Sequence, residues 1–150
     1  MWRFVFLICV FAASSLQADY VEPKRGSYDR KGMLDALRPR VEWMLGMPVE
    51  FVVHDARLAE GQGLSRPVGF VSVTAQRPGG TPIDMRKTPG FARGQIDPEY
   101  MDGSTSQALL MKVGKTWVAV HWALGATDAW YTAAEFCEHY FAVLPEACGG

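Results

Sequence analysis

Imidazole is the commonest base and metal ligand at neutral pH, so the three histidines are the first place to look for chemistry. His121 stands in Trp117-Val118-Ala119-Val120-His121-Trp122. Strand alternation there puts it on the face of Trp117 and Ala119, opposite Val118, Val120 and Trp122. A small hydrolase or isomerase could use His121 with a loop carboxylate, Asp84 or Asp102, in a conical pocket; the plain alternative is a cross-strand partner on a solvated face. His54 and Asp55 are adjacent, which sends their side chains to opposite faces unless a bulge intervenes. Glu135 and His139 are four apart on a helical stretch and could supply two metal ligands, but no spacing suggests a third. A histidine in a last helical turn also complements the helix dipole with no metal at all.

The remaining chemistry is thin. Gly63-Leu64-Ser65-Arg66-Pro67 ends in proline and is not a nucleophile elbow. Gly61-Gln62-Gly63 lacks the third glycine of a dinucleotide fingerprint, and there is no Walker A string. Asp97 to Gly103 lacks the alternating oxygens of an EF-hand loop and reads as a solvated turn. No cofactor is expected. Aromatic residues say more: by periodicity Trp117 and Tyr131 are the most exposed, and with His121 they make a candidate recognition surface.

The chain has 150 residues, net charge -1 and 49% hydrophobic residues. That bounds it to one domain, excludes a disordered chain and gives no electrostatic reason to expect nucleic acid. Residues 1–18 read as a secretory signal peptide: Arg3, then an apolar run from Phe4 to Ala13, then a small residue at Ala18. The run is about half of the roughly 20 residues a membrane span needs, so no stable anchor is expected after cleavage. Ile8 precedes Cys9 and the apolar run continues past it, which does not fit lipidation. Cys137 and Cys148 remain, and in an oxidising compartment such a pair reads as a disulfide. The chain has no asparagine, which excludes N-linked glycans and a Cys-His-Asn triad.

These residues must be carried by a small set of elements. Residues 19–28 read as a flexible leader and 29–150 as one α+β domain. Asp29 can cap a helix with a stripe of Leu34, Leu37, Val41 and Met44, kinked or restarted at Pro39 and ended by Gly46 and Pro48. Strands are expected at 49–58, 68–76, 108–113 and 116–124, the last two joined by Gly114-Lys115 as a type II′ hairpin. A brief strand is expected at 83–85, and the aperiodic stretch that follows reads as a functional or mobile loop. Thr127 or Asp128 would cap a last helix with Trp130, Ala133, Cys137 and Tyr140 facing inward. The sum is an N-terminal helix on a curved antiparallel sheet of about four strands, with a C-terminal helix.

Asp35-Ala36-Leu37-Arg38-Pro39, Val49 to Val53, Ala108-Leu109-Leu110, Lys115 to Val120 and Gly125-Ala126-Thr127-Asp128 resemble strings of small exported bacterial proteins of unknown function. The order of elements is similar to cystatin-like and nuclear-transport-factor-like folds. The first resemblance implies a periplasmic or secreted bacterial setting and carries over no catalytic residue; the second is topological and does not fix function. The leading expectation is a non-catalytic domain binding a protein, an envelope component or a small ligand through the aromatic sheet face and the 86–106 loop. The enzyme built on His121 and an inhibitor of a secreted enzyme stand as alternatives.

Overall fold

The computed structural model describes residues 20–61 and 63–149, so the expected signal peptide lies outside the described residues. Ser27, not Asp29, opens the first helix, its side chain accepting from the Arg30 amide. Helix α1 (Tyr28–Leu45) passes through Pro39 unbroken. Its buried stripe is Met33, Leu37, Val41 and Leu45, with Leu34 and Met44 on the flanks. Asp29 is free for another task because a hydroxyl already serves the helix amides.

The described part of the expected leader makes contacts with the rest of the domain. Val21 and Leu58 exchange both backbone hydrogen bonds, at 2.8 and 2.9 Å. Arg30, buried beneath the leader, donates to the Pro23 carbonyl at 3.0 Å and pairs with Glu22 at 3.1 Å. These contacts satisfy a buried cation and an edge-strand residue together.

Strands β1 (Glu50–Ala59), β2 (Val68–Gln76), β3 (Thr105–Val113) and β4 (Thr116–Leu124) form one antiparallel sheet in the order β1-β2-β3-β4. The β3–β4 turn is the expected two-residue connection, with Gly114 at φ 60° and no non-glycine residue at positive φ among the described residues, as type II′ requires. Both edge strands carry a bulge, at His54 in β1 and at Val120 in β4. Each extra residue inverts the alternation beyond it. Phe51, Val53, Ala56 and Leu58 therefore all reach the α1 side, as do Trp117, Ala119, Trp122 and Leu124.

Each sheet face has its own core. Helix α1 covers one with Val71, Val73, Ala108 and Leu110. The C-terminal segment covers part of the other with Val68, Phe70, Leu109, Tyr140, Val143 and Leu144. No helix starts at Thr127 or Asp128. A 3₁₀ turn (Trp130–Thr132) comes first, then α3 (Ala134–Tyr140), a second 3₁₀ turn (Phe141–Val143) and α4 (Pro145–Cys148). The reason is aromatic packing: Tyr131 lies 4.8 Å from Phe70 and Trp130 meets Phe136 edge-on at 5.5 Å, which bends the chain before a helix can continue. Cys137 and Cys148 are bridged, with Cα atoms 5.4 Å apart. Ile83 and Met85 pack on the α1 core without forming a strand; a 3₁₀ turn (Met85–Lys87) and α2 (Pro89–Ala92) follow.

Candidate functional site

The bulge at Val120 separates the expected partners on β4. His121 leaves the face of Trp117 and Ala119 and packs on the opposite side, 4.8 Å from the Phe136 ring. Asp84 lies in the segment packed against the α1 core, where it accepts from the Arg86 amide at 3.1 Å and pairs with Lys87. The Lys87 ammonium first, then that amide, hold the Asp84 carboxyl below the usual aspartate range. Asp102 is exposed at the end of the sheet, its amide donating to the Gly125 carbonyl at 2.8 Å. No hydrogen bond or ion pair among the described residues joins His121 to either carboxylate. Glu135 and His139 are both exposed on α3, and His139 lines a shallow groove with Glu60, Leu64 and Phe141. Among the described residues no group of three or more His, Cys, Asp or Glu could hold a metal ion.

Trp117 is buried, contrary to the expected exposure, and Tyr131 is half-buried. Two glycines make the space for the indole. A Cβ on Gly32 of α1 would sit 2.8 Å from Trp117 Cδ1, and one on Gly69 of β2 would sit 3.3 Å from its Cζ3. Trp117 therefore fastens α1 to the sheet.

The exposed aromatic is Trp43. It lies off the α1 stripe of Leu37, Val41 and Leu45 and is 64% exposed, with Met47 just beyond the helix at 75%. Helix α2 closes on this end of α1. Thr88 caps α2, accepting from the Phe91 amide at 3.3 Å and donating to the Met85 carbonyl at 2.8 Å. A Cβ on Gly90 would lie 2.7 Å from the Met44 carbonyl oxygen, so only glycine permits this approach. Between the helices runs a groove of about 590 Å³ lined by Pro39, Trp43, Met47, Pro89 and Arg93, with Glu42.

Its walls are held by two arginines distant in sequence. Helix α1 has no basic residue in its last turn to oppose the negative end of its dipole. Arg93 donates to the Trp43 carbonyl at 2.7 Å, and its guanidinium lies 4.4 Å from the Trp43 ring centroid. Arg77 donates to the carbonyls of Leu45 and Gly46 at 2.6 Å each and of Pro48 at 3.0 Å. The Trp43, Leu45 and Gly46 carbonyls at the helix end thereby gain donors, and Trp43 is fixed from behind while its outer face stays open. Sequence periodicity marks Trp43 as off the buried stripe, but nothing local announces α2 or its arginine.

On the opposite sheet face Arg57 gathers the C-terminal segment. It pairs with Asp55 at 2.8 Å, donates to the Val143 carbonyl at 3.1 Å and pairs with Glu146. Burial, the largest single influence, pushes the Glu146 carboxyl up, but the Arg57 hydrogen bond, a backbone hydrogen bond and the Arg57 charge together outweigh it and leave the group below its usual range. Comparison with protein-family models, with curated proteins and with solved structures finds no match for this chain.

Proposed function

We propose that the protein is an exported bacterial, non-catalytic binding domain that recognises an envelope protein by seating an apolar side chain in the groove beside Trp43. The observation that carries this reading is the pairing of two large exposed apolar side chains, Trp43 and Met47, with a rigid backing of arginine hydrogen bonds. Aromatic anchors held in advance lose little entropy on binding, which is how small interfaces reach useful affinity. The groove uses Pro89 and Arg93 from the 86–106 loop, the segment expected to recognise a ligand. The Cys137–Cys148 bridge supports a periplasmic or secreted location, since such bonds persist in oxidising compartments.

The test is a photo-crosslinking side chain at Met47 in cells, compared with the same side chain at exposed Lys24. A crosslinked species at Met47 that disappears when Trp43→Ala is added is expected. Equal crosslinking at both positions, or crosslinking indifferent to Trp43→Ala, would overturn the reading.

A further inference from the structure

Edge strands expose unpaired N–H and C=O groups, and proteins commonly blunt them with charge, proline or a covering segment. The two edges of this sheet are treated differently. Strand β1 carries Glu50, Asp55 and Arg57, and Val21 bridges its outer side at Leu58. Strand β4, Thr-Trp-Val-Ala-Val-His-Trp-Ala-Leu, has no Asp, Glu, Lys, Arg or Pro along nine residues. Among the described residues nothing pairs with its outer edge. Val118 and Val120 are 38% and 45% exposed beside it, and Val113 in the same hairpin is 49% exposed.

We propose that β4 pairs antiparallel with β4 of a second copy of this chain, joining two sheets into one of eight strands across a two-fold axis. Two features of the chain select this occupant. The first is charge. Lys115 stands at the hairpin end of β4, while Asp102 and Asp128 stand near its other end, where the Asp102 amide bonds to Gly125. None of the three is in an ion pair among the described residues. Antiparallel self-pairing sets the lysine end of each copy beside the aspartate end of the other, and parallel pairing would set like charge against like.

The second is the pleat. Residues directly opposite in an antiparallel pair share a face. The bulge places Trp117, Ala119, Trp122 and Leu124 on the α1 side. A two-fold axis between Val120 and His121 sets Trp117 against Leu124 and Ala119 against Trp122, so the face is kept along the whole strand. Imidazole then lies across from Val120 and not from a second imidazole.

Sedimentation velocity of the purified protein between 1 and 200 µM tests the proposal, at order-of-magnitude concentrations that span a standard weak dimer. A reversible dimer of twice the chain mass is expected. Val118→Lys, with its fold checked by circular dichroism, is expected to raise the dimer Kd at least about tenfold, since it buries a charge at the new ladder. Val52→Lys on exposed β1 should leave it unchanged. Lys115→Glu should weaken the dimer several-fold, and adding Asp128→Lys should restore it. A wild type that stays monomeric throughout, or a folded Val118→Lys protein that dimerises as well as the wild type, overturns the proposal. Neither outcome touches the Trp43 groove.

Discussion

The indole nitrogen of Trp117 donates to Asp29 Oδ1 at 2.9 Å, linking the first turn of α1 to β4 across 88 residues of sequence. Lys112 Nζ donates to the same oxygen at 2.6 Å. The Lys112 hydrogen bond first, and that of Trp117 second, hold the Asp29 carboxyl below its usual range. A depressed carboxylate stabilises the fold above its unfolded pKa of about 4, and that contribution is lost as pH falls through the folded value. Asp29→Asn should therefore cost about 1 to 1.5 kcal/mol at pH 7, the scale of a partly exposed charged hydrogen bond. Urea unfolding as a function of pH should show the gap to wild type full at neutral pH and shrinking below about pH 4. A gap that grows on acidification would contradict the assignment.

Arg77 caps α1 through the Leu45 and Gly46 carbonyls and reaches the Pro48 carbonyl beyond it, so its loss leaves acceptors at a helix end whose last turn has no basic residue of its own. Arg77→Ala should destabilise by about 1 to 3 kcal/mol in chemical denaturation. Arg77→Lys should recover only part, because an ammonium cannot span the carbonyls that a planar fork reaches.

Gly90 is the contact point of α2 on α1. Its replacement by alanine sets a methyl carbon 2.7 Å from a backbone oxygen, which forces α2 outward. We expect Gly90→Ala to lower the thermal midpoint and to detach Arg93 from Trp43. Amide hydrogen exchange should rise in residues 88–94 and stay unchanged in β2 and β3.

The Cys137–Cys148 bridge closes a short loop at the C-terminal segment that covers the second core. Cys137→Ser should cost about 2 to 3 kcal/mol if loop closure governs. The wild type in reductant should match the variant in differential scanning calorimetry, and a variant melting with the oxidised wild type would show the bridge to be idle.

Local pattern alone determined much of this protein. Apolar alternation and the turn residues place β2, β4 and the Gly114-Lys115 hairpin at their observed positions, because a pleat and a tight turn are decided by neighbours in sequence. The α+β order is legible for the same reason, and the cysteine pair from its even count in an expected oxidising compartment. What tertiary structure alone decided is which way side chains face. A bulge depends on the partner strand, and one extra residue at Val120 moved His121 away from Trp117. Burial of Trp117 depends on Gly32 and Gly69, which are distant from it in sequence. An isolated glycine inside a helical or strand pattern is a sign of close packing, but not of what packs there. The groove beside Trp43 follows the same rule: its carbonyls belong to α1, and the arginines that satisfy them come from parts of the chain that meet only once it has folded.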